Sequence, residues 1–175
     1  MLGLMKRDFA ATLLLASVLT LQPAIAAASG QLNSDEKAFI DFAAQTDLVN
    51  VRLGQMAQLQ ASSLAVKKFA AVLEHDHAAD LKRLATISKL TSANAPTTLD
   101  EVHMNFVRRL NKSKGKSFDL TFLKTVINDH ENAYVPYRRE ADNGFNPSLK
   151  AYARRALPRL DSHLKQARRL SALPQ

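Results

Sequence analysis

Three histidines have the surroundings that a buried metal site needs. His77, His130 and His163 each fall on the apolar stripe of a different predicted helix. Helical bundles bind metal ions through side chains that project inward from facing helices, and neutral imidazole is a good ligand for zinc, copper and iron. The sequence therefore predicts that these three side chains bind a transition-metal ion in the core of a bundle.

Acidic residues close to the histidines are candidates for supporting such a site. Glu74 and Asp76 precede His77, and Asp129 precedes His130. Adjacent side chains on an α-helix point about 100° apart, so we expect each aspartate to contact a histidine of another helix. A carboxylate in that position accepts the imidazole N–H and fixes the orientation of the ring.

A purely structural role explains the same histidines. Buried polar side chains are nearly always hydrogen-bonded, and each imidazole could pair with an aspartate or with Tyr134 or Tyr137. Such a network fixes the register of the helices without binding a ligand. The remaining two histidines are expected to be solvated (His75) or packed in a short helix (His103).

Enzymatic activity is the least favoured interpretation, and no residue is predicted to be catalytic. Glu74 and His77 form a Glu-x-x-His pair, but di-iron bundles need two such pairs. Ile127 and Leu160 stand where the matching glutamates would be. The sequence also lacks G-x-S-x-G, H-E-x-x-H and glycine-rich phosphate-loop motifs.

The composition and periodicity of the chain are typical of a helical bundle. Of 175 residues, 46% are hydrophobic, and the chain has no tryptophan and five glycines, which disfavours a β-sandwich. Asn33, Ser63, Thr98 and Ser117 are predicted to cap helices, and Pro147 to begin the last one. The pattern predicts an all-α fold, an antiparallel four-helix bundle with one additional short helix. The predicted helices run to about Ala61, Leu90, Leu110, Gly144 and Leu170.

The N-terminal residues predict export. Lys6 and Arg7 precede an apolar run over residues 9–21, and an Ala-x-Ala pattern follows at residues 24–26. These features indicate a cleaved signal peptide over residues 1–26, followed by a single domain over residues 27–175 in the periplasm or the medium. Without cysteine, disulfides and thiolate ligands are excluded. No later segment has the length and apolarity of a membrane span.

Positive charge is concentrated in the last predicted helix. The chain has a formal net charge of +8, and Asp161 is the only acid from Pro147 onward. The alternative function is therefore an interaction protein that contacts anionic envelope components through this helix. Nucleic acid is not an expected partner, because no basic motif interleaved with aromatics is present. The basic residues are Lys150, Arg154, Arg155, Arg159, Lys165, Arg168 and Arg169.

The order of several short motifs resembles the bacterial family DUF4142. The resemblance implies an exported, ferritin-like helical bundle and no particular activity, because the family is one of unknown function. Members often carry acidic residues in the first helix where this chain has Asn50 and Arg52. The sequence favours a non-enzymatic binding or envelope-stress protein. The matching motifs are Phe39-Ile40-Asp41-Phe42-Ala43-Ala44, Leu53-Gly54-Gln55-Met56-Ala57, Val66-Lys67-Lys68-Phe69-Ala70, Asp76-His77, Phe118-Asp119, Asp129-His130 and Leu157-Pro158-x-Leu160-x-x-His163-Leu164.

Overall fold

Residues 31–173 are described by a computed structural model, and within that range the chain forms five α-helices and no strand. The predicted all-α bundle is confirmed, with four long helices and one short one. The predicted signal peptide lies outside the described residues. The helices are α1 (Ser34–Gln60), α2 (Leu64–Leu90), α3 (Glu101–Leu110), α4 (Gly115–Asn143) and α5 (Pro147–Ser171).

The starts of three helices are those predicted, from capping residues for α1 and α2 and from Pro147 for α5. Asn33 Oδ1 accepts the Glu36 N–H at 2.8 Å, and Glu36 Oε2 accepts the Asn33 N–H at 3.0 Å, which completes a capping box. Ser63 caps α2, and Asn146 caps α5 with Pro147 in its first turn. Each cap satisfies backbone N–H groups that have no partner inside the helix.

The predicted caps of the other two helices were wrong. Asp100, not Thr98, caps α3, because its Oδ1 accepts the His103 N–H at 2.8 Å. Helix α4 begins at Gly115, ahead of Ser117, and Lys114 gives it no side-chain cap. Gly115 has a φ of +58°, a conformation that glycine adopts at little cost. The chain therefore turns directly from the loop over residues 111–114 into α4.

A layer of polar side chains separates two apolar halves of the bundle. One half contains Phe69, Phe118 and Phe122, and the other contains Phe39 and Tyr137. On every long helix the chain passes from one half to the other through a buried polar residue. These residues are Asp47 on α1, His77 on α2, His130 on α4 and His163 on α5.

Two close contacts fix the positions of α1, α2 and α4. One joins α1 to α2, and the other joins the α1–α2 turn to α4. A methyl group at Gly54 would lie 2.7 Å from the Ala70 carbonyl oxygen, so only glycine permits this approach. Asp119 is fully buried and accepts hydrogen bonds from Ser62 N, Ser62 Oγ and Ser63 N at 2.9, 2.7 and 2.8 Å. These contacts fix the helices that carry Asp47, His77 and His130.

Several large side chains of α3 and α4 are exposed. Val102, Leu120 and Tyr134 are 74%, 45% and 41% exposed. On α4 the inward side is instead formed by Phe118, Phe122 and Tyr137, which are almost completely buried. Among the helices within residues 31–173, none combines the length and apolarity that crossing a membrane requires.

Candidate metal centre

The polar layer brings His77, His130 and His163 together. All three are at most 3% exposed. His77 Nε2 lies 3.4 Å from His130 Nε2, which lies 3.2 Å from His163 Nδ1. One nitrogen of each ring can be chosen so that all three lie within 4.8 Å of one another. Three helices that are distant in sequence thus direct one ring nitrogen each at a common point.

Carboxylates hold the outward-facing nitrogens of two of these rings. Asp47 Oδ1 lies 2.8 Å from His77 Nδ1, and Asp76 Oδ2 lies 3.0 Å from His163 Nε2. An imidazole that donates its outer N–H to a carboxylate carries its lone pair on the inner nitrogen. This is the arrangement that orients metal-binding histidines in proteins.

The third ring, that of His130, is held less firmly. Its Nδ1 is buried and makes no hydrogen bond within the described residues. The nearest carboxylate oxygen is Asp129 Oδ2 at 3.7 Å. Asn50 Nδ2 donates to that same oxygen at 2.5 Å and to the Thr46 carbonyl at 2.9 Å. Asn50 therefore fixes Asp129 beside His130.

Burial keeps the three imidazoles neutral at physiological pH. The pKa of His77 is lowered to about 3, mainly by burial and then by the nearby His163. Burial also lowers the pKa of His130 and of His163. The neutral imidazole is the form that binds metal ions.

The same burial disfavours charge on the neighbouring acids. It raises the pKa of Asp47 to about 8, against the opposing effects of Tyr152 and Arg159, and it raises the pKa of Asp129 to about 6. A cation among the inner nitrogens would favour ionised carboxylates by direct attraction. Binding of a cation and ionisation of these acids are therefore expected to favour one another.

A hydrogen-bonded chain extends from His77 into the second apolar half of the bundle. Tyr152 donates its hydroxyl to Asp47 Oδ2 at 2.8 Å, and the Tyr137 hydroxyl lies 3.3 Å from that of Tyr152. Beside this chain, Arg159 pairs with the buried Asp80. Tyr152 therefore restricts the position of Asp47, and through Asp47 that of the His77 ring.

The two nitrogen–nitrogen separations at His130 Nε2 are those of neighbouring metal ligands. With metal–nitrogen bonds of about 2.0–2.1 Å, two ligands at a tetrahedral corner lie about 3.3 Å apart. The separations of His130 Nε2 from His77 Nε2 and from His163 Nδ1, 3.4 and 3.2 Å, are on either side of that value. Without a cation or a proton between them, lone pairs at this distance would repel one another.

The structure places the other predicted residues as follows. Asp76 and Asp129 lie beside histidine rings, although Asp129 is next to His130, its own neighbour in sequence. The Glu74 carboxylate instead accepts hydrogen bonds from Gln55 at 3.1 Å and Gln58 at 2.5 Å, so both of its oxygens are engaged elsewhere. His75 is exposed, as predicted.

Asp47 is the residue of this centre that sequence reasoning missed. It is 1% exposed and lies on the same side of α1 as Ile40, Ala43 and Asn50, all of them buried. An acid at helical spacing within such an apolar stripe is rarely buried without a partner. That signal was present in the sequence and would have identified Asp47.

Comparison with known proteins identifies the family. The sequence profile described as "Domain of unknown function (DUF4142)" matches residues 21–170. The chain belongs to the DUF4142 family. The predicted resemblance is thereby confirmed over most of the chain. Comparison with curated proteins finds no significant match.

One solved structure has a similar fold to this DUF4142 protein. It is the crystal structure of a DUF305 fragment from Deinococcus radiodurans, with a TM-score of 0.71 and 13% sequence identity. The similarity covers 82% of this chain and all of the fragment. At that identity the likeness concerns the fold alone, and it supports the helical bundle.

Proposed function

We propose that this protein is an exported metal-binding bundle in which His77, His130 and His163 bind one transition-metal ion. The observation that carries the proposal is the convergence of three neutral imidazole nitrogens at 3.2 and 3.4 Å. Asp47 and Asp76 support the rings of His77 and His163. Asp129 takes the corresponding place near His130, and Glu74 has no part in the site.

Zinc and copper suit the donor set best. The three ligands are all imidazoles, which both metals accept. Iron centres in bundles use carboxylates as direct ligands, whereas here Asp47 and Asp76 contact the outer nitrogens of the rings. A role in binding, storage or transfer of the metal is therefore favoured over oxidation chemistry. The ferritin-like arrangement belongs to the same proposal, since it places inward ligands on α2, α4 and α5.

The signal peptide over residues 1–26 remains part of the proposal, and it places metal binding in the periplasm or the medium. The alternative, an interaction through the basic last helix, has weaker support. Asp80, Asp161 and Glu131 form ion pairs with Arg159, Lys165 and Arg168, which reduces the charge that α5 offers to an anionic partner.

The test is to measure zinc and copper in untagged protein, and then to titrate the metal-free protein with Zn²⁺. The His130→Ala variant is compared with His75→Ala, which removes an exposed histidine. We expect one metal ion per chain in the wild type and in His75→Ala, and a large loss in His130→Ala. Equal metal content in all three proteins, or none in the wild type, would contradict the proposal.

A structural network of histidines is distinguished by ligand-linked stability. A metal that binds only the folded chain raises its stability by about 2.7 kcal/mol at a free concentration one hundred times Kd. We expect Zn²⁺ to raise the Tm of the wild type and of His75→Ala, and to leave that of His130→Ala unchanged. If the histidines act only as a structural network, His130→Ala lowers the Tm and Zn²⁺ raises none of the three.

A further inference from the structure

A second set of ligating side chains lies in a cavity beside the histidine cluster. The cavity has a volume of about 290 Å³ and is lined from α1, α3 and α4. Its polar lining includes His103 on α3 and Asn128, Asp129 and Asn132 on α4, with Arg109 also present. Asp129 is shared between this cavity and the surroundings of His130. The cavity therefore reaches the metal centre through one carboxylate.

His103 is prepared for metal binding in the same way as the buried histidines. Asp100 Oδ1 lies 2.7 Å from His103 Nδ1 and also accepts the His103 backbone N–H at 2.8 Å. The ring therefore donates from Nδ1 and carries its lone pair on Nε2. Nε2 makes no hydrogen bond to any residue between 31 and 173. A carboxylate-oriented histidine thus contributes a ligating nitrogen to the cavity.

Asp129 connects the cavity with the interior. Its side chain is 24% exposed, whereas that of His130 is fully buried. Oδ2 accepts the Asn50 hydrogen bond at 2.5 Å and lies 3.7 Å from His130 Nδ1. Oδ1 receives no hydrogen bond from the described residues. One oxygen is held beside His130, and the other is available to a cation in the cavity.

We propose that this cavity is the loading site through which a hydrated divalent cation reaches the three buried histidines. His103 Nε2 and Asp129 Oδ1 are its first protein ligands. The inference rests on the proposed metal site and adds the route by which that site fills. A route is needed because the three histidines are at most 3% exposed.

His130 is the gate between the two sites. Its outer nitrogen lies 3.7 Å from the Asp129 carboxylate, whereas those of His77 and His163 lie 2.8 and 3.0 Å from theirs, so its ring is held less firmly by a carboxylate. A cation leaving Asp129 first meets His130 Nδ1, and His130 Nε2 faces His77 and His163. His130 therefore has one nitrogen on the cavity side and one in the centre.

Arg109 opposes the arrival of a cation at the cavity. Its exposed guanidinium lies at the same cavity, and its charge repels an arriving cation over a distance limited by salt. Loading should therefore be faster when this charge is removed. Substitution of Arg109 should therefore raise the loading rate, whereas substitution of His103 should lower it.

The experiment follows Zn²⁺ uptake by the metal-free protein in a stopped-flow instrument, with a zinc indicator as reporter. The variants are His103→Gln and Arg109→Gln, with the exposed His75→Gln as the matched control. We expect His103→Gln to slow loading relative to the wild type and to His75→Gln. Arg109→Gln should accelerate loading at low salt, and the gain should shrink at high salt.

Removal of bound Zn²⁺ by excess EDTA completes the test. A residue on the route changes uptake and release by the same factor, so Kd should be unchanged in His103→Gln. Wild-type loading rates in both His103→Gln and Arg109→Gln would overturn the loading site while leaving the metal centre intact. A wild-type protein that takes up no Zn²⁺ would instead overturn the metal centre, and the route with it.

Discussion

Asp47 Oδ1 on α1 lies 2.8 Å from His77 Nδ1 on α2, and both side chains are at most 3% exposed. This contact joins the first two long helices within the polar layer of the core. It also sets which nitrogen of His77 carries a lone pair, because the outer N–H is directed at the carboxylate. Asp47 therefore links the packing of α1 to the chemistry of the centre.

Replacing Asp47 by Asn should weaken Zn²⁺ binding. The amide oxygen can still accept the His77 N–H, but the amide cannot ionise when a cation binds, so the attraction between a carboxylate and the cation is lost. Loss of such a partner typically lowers metal affinity by about 10- to 100-fold. Zn²⁺ titration against a competing chelator measures the change. The control is Asp161→Asn, which removes an exposed acid paired with Lys165. An equal Kd in both variants would contradict this role of Asp47.

Much of the fold follows from local signals in the sequence. The starts of α1, α2 and α5 are encoded by Asn33, Ser63 and Asn146-Pro147, each of which satisfies a helix end by itself. The start of α4 is not encoded in this way, because a glycine at positive φ opens the helix without a side-chain cap. The choice between Thr98 and Asp100 at α3 likewise depended on tertiary contacts, since Gln45 binds the Thr98 carbonyl.

The candidate site was predictable in part for a similar reason. His77, His130 and His163 lie on apolar stripes, and helical periodicity alone predicts that they face inward. Which acid meets which histidine depends on the relative heights of the helices, which one sequence does not specify. Asp76 was placed correctly on a histidine of another helix, whereas Glu74 contacts glutamines of α1.

Tyr152→Phe should destabilise the protein without changing its shape. The hydroxyl donates to Asp47 Oδ2 at 2.8 Å and lies 3.3 Å from the Tyr137 hydroxyl. Its removal leaves a buried carboxylate oxygen without a donor, which costs about 1–3 kcal/mol. Urea unfolding of the metal-free protein measures the loss. Tyr134→Phe is the control, because that tyrosine is 41% exposed. Equal stability in both variants would contradict a structural role for the Tyr152 hydroxyl.

Asp119→Ala should be among the most destabilising single changes. The fully buried carboxylate accepts three hydrogen bonds from Ser62 and Ser63 at the turn between α1 and α2. Its loss removes the acceptor of three partly buried donors, with an expected cost of about 1–3 kcal/mol. Thermal and urea unfolding provide the measurement.

The matched control for Asp119 is Asp142→Ala on the same helix. That carboxylate is exposed and pairs with Arg138 four residues earlier, a contact expected to contribute about 0.3–0.5 kcal/mol. If Asp119→Ala costs no more than this control, the hydrogen bonds at the turn do not stabilise the bundle as inferred.

Glu140, which is not part of the metal centre, should make the free energy of unfolding depend on pH. Burial and the nearby Glu36 raise its pKa to about 7, against the attraction of Lys150 and Arg139. The folded chain then holds a proton that the unfolded chain loses near pH 4.5. The free energy of unfolding is therefore expected to fall as the pH rises through this interval. In Glu140→Gln that decrease should be smaller, as urea unfolding at pH 5 and pH 8 would show.

The buried histidines change the stability with pH in the opposite direction to Glu140. Their effect cancels when the profile of a variant is compared with that of the wild type. The pKa of His77 is lowered to about 3, so the unfolded chain binds the extra proton and acid destabilises the fold below about pH 6.5. Wild type and Glu140→Gln share this effect, so the difference between their profiles isolates Glu140. Glu131→Gln, which removes an exposed acid paired with Arg168, should follow the wild-type profile. Parallel profiles for all three proteins would show that Glu140 is ionised in the fold at neutral pH.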